Sequence, residues 1–362
     1  MLQGIRILDL SRVLAGPLAT MMLGDLGADV IKVEHPDGGD ETRGWGPPFD
    51  ERGESAYFLS VNRNKLSLAA DLRERADRDL IARLAADADV VVDNFRPGVL
   101  ARFGIDPDRL ILRHPRLVWC TISGFGPSSN RPGYDFVVQA ECGWMAITGD
   151  PAGDPMKAGV ALADVIAGKD AVIAVLAALV SRGTTGRGRR LQVSLAASAT
   201  AALVNVAQNA LVTGQDARRF GNSHANLVPY DLFQAADRPI VIAVGTDAQW
   251  RGLVAALDLP DLASDSALAT NAGRLAQRTR VVDVLARRIR ERLASEWRSV
   301  FDEVEVPNGV VKSVLEALRE VDASALTGIA PSVHGTSRRP PPRLNEHGPA
   351  IRAAGWQAFD AR

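Results

Sequence analysis

Cysteine is almost missing from this chain of 362 residues, which has only Cys120 and Cys142. Two isolated thiols, one in an apolar strand-like run and one in a helical pattern, exclude a disulfide framework and a cysteine-ligated metal centre. An excess of either charge is also missing. The 42 basic and 43 acidic residues leave a net charge of −1, too little to attract nucleic acid or an anionic membrane. No apolar run is long. Ala171 to Val180, the most apolar stretch, has 10 residues and follows Lys169 and Asp170, whereas a spanning helix needs about 20. Met1 to Leu10 lacks the basic region and apolar stretch of a signal peptide. These absences predict a cytoplasmic protein with no metal, no membrane and no nucleic-acid partner.

The chain does hold 46% apolar and 23% charged residues, as in a globular enzyme, over a length that suits two domains. The periodicities of its first two hundred residues alternate. Ile5 to Leu10 reads as a buried strand, Pro17 to Leu26 as a helix closed by Gly27, and Asp29 to Glu34 as the next strand, a parallel βαβ opening. Strands follow at Leu66 to Leu72, Val90 to Phe95, Leu117 to Ser123 and Gln192 to Leu195. Helices are predicted at Arg75 to Ala86, Tyr134 to Ile147 and Val165 to Ser181, the last stopped by Gly183. A long alanine-rich helix then reaches about Val212. The fold class expected is α/β, a Rossmann-like doubly wound large domain over 1–213.

After Gly214 the pattern changes. A hairpin of Tyr230 to Gln234 with Ile240 to Gly245, and helices Ala248 to Leu257 and Asn271 to Leu293, predict a smaller α+β domain over 214–320. The Pro- and Arg-rich segment 321–362 is expected to run back over the first domain.

Three places could carry chemistry. The turn Ser11-Arg-Val-Leu-Ala-Gly16 has one glycine where a dinucleotide fingerprint needs three, and Glu34 then stands either as a ribose-binding acid or as a solvated strand end. Asn94-Phe-Arg-Pro-Gly98 follows a strand at the carboxyl edge of the sheet. It is equally a ligand loop, with Arg96 or Arg102 on phosphate, or an ordinary βα turn. Asp164, in Gly159-Val-Ala-Leu-Ala-Asp-Val-Ile-Ala-Gly168, sits where an apolar stretch becomes a helix. By itself it reads as a helix N-cap. A carboxylate at a helix N-terminus among small residues is also an accessible nucleophile, kept ionised at neutral pH by the helix.

In order along the chain stand Leu8-Asp-Leu-Ser-Arg-Val-Leu-Ala-Gly-Pro17, Leu26-Gly-Ala-Asp-Val-Ile-Lys-Val-Glu34, Gly39-Asp-Glu-Thr-Arg43, Asn62-Arg-Asn-Lys65 and Asp93-Asn-Phe-Arg-Pro-Gly98. Gly133-Tyr-Asp135, the Asp164 segment, Thr185-Gly-Arg-Gly188 and Gly221-Asn-Ser-His224 follow. Together they resemble the family III CoA-transferases, the CaiB–BaiF type. The resemblance implies a nucleophilic aspartate at Asp164. It implies coenzyme A contacts at Val13, Leu14, Ala15, His35, Ala70, Asp71, Leu72, Arg73, Asn94, Phe95 and Arg102, with Tyr134 and Asp135 lining the pocket near the reacting centre. It further implies an interlocked homodimer. Partners are an acyl-CoA thioester, as substrate, and a free carboxylic acid, with no tightly bound cofactor. The segment after Gly221 lacks the glycine run of formyl-CoA transferases, which directs expectation to larger mono- or dicarboxylic acids. Arg43, Arg63 or His224 could hold a second carboxylate. Two alternatives stay open: an α-methylacyl-CoA racemase, whose second base is a His where this chain has Tyr134, and a non-catalytic binder of CoA esters. A tyrosine of ordinary pKa is a poor base at neutral pH.

Overall fold

The computed structural model describes Met1 to Asp360. Six parallel strands form one sheet: β1 (Arg6–Asp9), β2 (Asp29–Glu34), β3 (Lys65–Ala69), β4 (Val90–Asp93), β5 (Val118–Ser123) and β6 (Arg190–Ser194), in the order 3-2-1-4-5-6. Register puts Ile7 beside Val30 and Val90, and Leu8 beside Ile31 and Val91. Because side chains alternate along a strand, Ile7, Val30 and Val90 enter a core on one face. Leu8, Ile31 and Val91 enter a second core on the other. Both faces are covered, which is why these strands read as continuous apolar runs.

The helices that matter for the site are α1 (Ala15–Asp25), α2 (Ala56–Leu59), α3 (Arg75–Ala86), α4 (Val99–Arg102), α5 (Pro107–Arg113), α6 (Asp135–Glu141), α7 (Trp144–Ile147), α8 (Leu162–Thr185), α9 (Leu195–Ala201) and α10 (Val204–Thr213). α1 and α8 cover the first face, α3 and α5 the second. Several expectations are corrected. The helix over Tyr134 to Ile147 is two short helices, parted where Gly143 turns to φ 86°. α8 starts three residues earlier than its periodicity predicts, passes through Gly183 and ends at Gly186 in the left-handed region. The alanine-rich helix bends by 72° between Ala201 and Val204, a break that no Gly or Pro announces. No single helix among the described residues is long and apolar enough to cross a membrane.

The chain divides into two compact units. The first takes Met1–Ala146, Met156–Ala217 and the chain from Val321 onward. Within it, Arg63 pairs with Asp25 and donates to the carbonyls of Thr327 and Ile329, while Asn64 binds the backbone of Thr336, Arg338 and Arg339. The Asn62-Arg-Asn-Lys65 motif thus fastens the C-terminal segment.

The second unit takes Ile147–Pro155 and Arg218–Glu320. Its antiparallel hairpin, Tyr230–Gln234 with Pro239–Ala243, gains a third strand, Asn308–Val310, too short and too glycine-broken for its sequence to announce. The helix expected over Asn271 to Leu293 is broken at Gln277 into Asn271–Ala276 and Arg278–Ile289.

Candidate active site

The strand order reverses between β1 and β4, and ligands of doubly wound sheets bind outside the carboxyl ends at such a point. There the loop after β1 meets the loop after β4. Asn94 accepts from the Arg12 amide at 3.0 Å and donates to its carbonyl at 2.7 Å. The Asp40 carboxylate accepts the Val13 amide at 3.2 and 3.3 Å and takes the Lys32 ammonium at 2.9 Å. Between these clamps Val13 stands at φ 70°. That conformation is a strained one for a β-branched residue, and a surrounding structure must impose it.

A buried ionic chain supplies that structure. Lys32 and Lys65 are fully buried; Lys65 binds Asp9 at 3.0 Å, the Pro17 carbonyl at 2.9 Å and Asn62 at 2.9 Å. Burial acts to raise the Asp9 carboxyl, but Lys65 and Lys32 bring it down to about 2. Burial brings Lys65 down to about 8. Arg43 forks onto Glu34 at 2.8 and 2.9 Å, meets Glu54 at 2.6 Å and lies over the Phe58 ring at 3.6 Å. Arg43 and Arg63 are therefore both committed to internal partners, which overturns their candidacy for a substrate carboxylate. Glu34 likewise serves as the counter-ion of Arg43 and accepts from Ser67 at 2.7 Å. His224 belongs to the second unit, where its Nδ1 accepts the Asn226 amide at 3.0 Å.

Of the cavities along this edge, two hold most of the residues named from sequence. One, of about 330 Å3, is lined by His35, Ala70, Asp71, Leu72, Arg73 and Phe95, among others. In it Arg73 is forked onto Asp71, 2.7 to 3.0 Å away, and that bond brings the Asp71 carboxyl down to about 2. The second, of about 200 Å3, is lined by Val13, Leu14, Ala15, Asn94, Tyr134 and Asp164, among others. Arg12 and Phe95 line both, with the guanidinium 5.4 Å over the ring. Of the residues named from sequence, Arg102 and Asp135 line neither cavity.

Asp164 is half-buried in the first turn of α8. It is not the N-cap. That position is Ala161, and the Asp164 carboxylate accepts no hydrogen bond and joins no ion pair among the described residues. The expectation that the helix terminus keeps it ionised is also corrected. Burial, helped by the charge of Asp135, pushes its carboxyl up to about 7. Desolvation of a carboxylate with no cation to answer it favours the neutral form. Tyr57 on α2 is the residue that the sequence reading missed. Its phenol is pushed up to about 12 by burial and then by the charges of Asp164, Asp135 and Asp40, and its ring meets Trp45 edge-on at 5.1 Å. Only the folded chain brings it there, across more than a hundred residues.

Strand order and a cavity at the switch point define a doubly wound α/β protein built to take a ligand at its carboxyl edge. The chain belongs to CoA-transferase family III, whose profile matches residues 2–353. It is 39% identical to succinyl-CoA:glutarate CoA-transferase of Homo sapiens, over 100% of this chain and 82% of that one. It is 38% identical to succinate–glutarate CoA-transferase of Agrobacterium fabrum, over 96% of this chain and 93% of that one. Among solved structures, a CAIB/BAIF family protein from Brucella suis superposes with a TM-score of 0.88 at 38% identity, covering 97% of this chain and 98% of that one. The ordered motifs and the whole-chain match agree.

Proposed function

We propose that this enzyme moves coenzyme A between dicarboxylic acids by a ping-pong reaction in which Asp164 is the nucleophile. The observation that carries the reading is an unpartnered carboxylate at the cavity of the switch point. The ionised Asp164 oxygen attacks the thioester carbonyl; the C–S bond breaks, leaving a mixed anhydride and CoA thiolate. The thiolate attacks the aspartyl carbonyl, the anhydride C–O bond breaks, and the first acid leaves as its carboxylate. An acceptor carboxylate then runs the sequence in reverse. No proton is transferred overall, so a lone carboxylate with no base beside it suits the chemistry.

Ala15, in the first turn of α1, lines the same cavity, and its amide, without an intrahelical acceptor, would stabilise the oxyanion of each tetrahedral step. The cavity of His35 and Ala70 to Arg73 would hold the nucleotide end of coenzyme A, the Asp164 cavity its thioester end. Arg96 lines the Asp164 cavity and has no ion pair among the described residues, whereas Arg12 pairs with Glu41 and Arg131 with Glu141. Arg96 is therefore the candidate for the second carboxylate. The glutarate-acting relatives favour that class of acid, and their names favour transfer over racemisation.

The enzyme is also read as a homodimer. α10 buries none of its residues although Val204, Leu211 and Val212 are apolar, and such a face calls for cover. Sedimentation should give about twice the 38.6 kDa chain mass.

The deciding experiment pairs succinyl-, glutaryl- and acetyl-CoA with free succinate, glutarate and oxalate. The competent donor is then incubated without acceptor and treated with hydroxylamine. A hydroxamate on the tryptic fragment Ala158 to Lys169 supports the reading. A competent donor that labels no residue, or labels Cys120 or Cys142, overturns it.

A further inference from the structure

α8 begins with four backbone amides that no helical carbonyl can satisfy. Of these, the Leu162 amide finds the Val160 carbonyl at 2.8 Å, while the Val165 amide makes the first regular helical bond, to the N-cap carbonyl of Ala161 at 3.0 Å. The two between them go elsewhere. Ala163 donates to Oδ1 of Asp135 at 2.7 Å, and Asp164 donates to the same oxygen at 3.3 Å. Asp135 comes from α6, 28 residues earlier in the chain than the amide it binds at 2.7 Å. Its other oxygen accepts from Gln139 Nε2 at 2.7 Å. Gln139, almost fully buried one turn along α6, accepts the Ala158 amide at 2.8 Å. Asp135 and Gln139 thus hold both the first turn of α8 and the strand of chain leading into it. Gly124 and Gly133 pack the chain entering α6 against the end of β5. A Cβ on either would lie within 2.5 Å of the other's Cα, so no side chain could stand between β5 and the start of α6.

We propose that Asp135 is a positioning residue: it caps the helix that carries Asp164, so that Asp164 is relieved of capping and its carboxylate is left unpartnered in the cavity. The proposal rests on Asp164 being the nucleophile. It gives Asp135 a second effect. A capping residue must be an acceptor, and an ionised one sets a like charge beside the nucleophile, favouring its protonated form. The other titratable and charged groups around Asp164 are Tyr57 from α2, Tyr134, and the cavity cations Arg12, Arg96 and Arg131 with Glu41. On α8 itself stand Lys169 and Asp170, the latter held by Ser198 at 2.6 Å. Asp135, unlike these, accepts a hydrogen bond from the Asp164 amide. A stronger nucleophile would be the gain: a carboxylate of raised pKa attacks a thioester better than an ordinary one once it is ionised.

The test follows kcat/KM from pH 5 to 9 in wild type, Asp135→Asn, Asp135→Ala and Asp164→Asn. Asp135→Asn keeps a carbonyl for the two amides and removes the charge. Its acid limb should move to lower pH, raising the ratio of kcat/KM at pH 5.5 to that at pH 8 by about threefold or more. Asp135→Ala removes the acceptor as well and should lower kcat by about tenfold or more, with KM for the donor little changed. Asp135→Asn sets an amide NH2 against Gln139 Nε2, so the double variant Asp135→Asn/Gln139→Met, which removes the opposing amide without adding a charge, is made alongside it. It should shift the limb in the same direction. An acid limb at the wild-type position in both folded variants would overturn the proposal. Failure of both to fold would overturn it too, making Asp135 a residue of folding only. Exchange by Asp164→Asn would instead sink the nucleophile itself, while an inert Asp164→Asn with an unmoved limb would sink only the role of Asp135.

Discussion

Gly168 lies against the carbonyl oxygen of Ala15; a Cβ on that glycine would come within 2.8 Å of it. The contact seats α8 on the start of α1 one turn beyond Asp164, and so brings Asp164 and Ala15 to one cavity. Gly168→Ala should push the two helices apart. The expected result is a loss of about 1–3 kcal/mol of stability and a fall in kcat of about tenfold or more. Thermal melts and steady-state rates measure both. An alanine variant with wild-type kcat would show that this spacing does not govern the chemistry.

The Asp164 carboxyl, pushed up to about 7 by burial and then by Asp135, fixes the sign of two pH effects. Its native pKa lies above the unfolded one. The group's contribution to stability is therefore full below about pH 4 and is lost as pH rises through about 7. Asp164→Asn should accordingly be more stable than wild type at pH 8, on the order of 2 kcal/mol, with the difference shrinking toward pH 4. Urea titrations at both pH values test this. On the proposal that Asp164 is the nucleophile, activity runs the other way, because only an ionised carboxylate attacks: wild-type kcat/KM should fall about tenfold per pH unit below 7.

The ion pair of Lys65 with Asp9 is fully buried; Asp9 accepts the Ser11 amide of the loop after β1, and Lys65 holds the Pro17 carbonyl of α1. Lys65→Met leaves Asp9 charged, buried and without its nearest cation. It should cost about 3–5 kcal/mol, while Asp9→Asn/Lys65→Met should recover much of that loss. A double-mutant cycle from denaturant midpoints gives the coupling. Additive losses would mean that the pair is not a unit.

Much of this protein was legible along the chain. Continuous apolar runs of four to six residues, parted by helical periods, marked the parallel sheet, because strands covered on both faces need no polar side. The opening strand–helix–strand unit stood within a residue or two of its place. Ordered motifs marked the family and singled out Asp164. Breaks without a sequence sign were not legible: the bend after Ala201, the interruption at Gln277 and the early start of α8 at Leu162 carry no proline and no glycine.

The sequence by itself determined the layered α/β fold, the family and the residue to watch, since each depends on local periodicity or on residue types in order. The state of that residue was decided by the tertiary structure. A lone Asp before a helix reads as a cap with an ionised carboxylate. Folding instead gives the cap to Asp135, ties Arg43 and Arg63 to internal acids, and brings Tyr57 beside a carboxylate whose pKa it has raised. Capping, pairing and desolvation are set by which groups come within a few ångströms, and chain order does not record that distance.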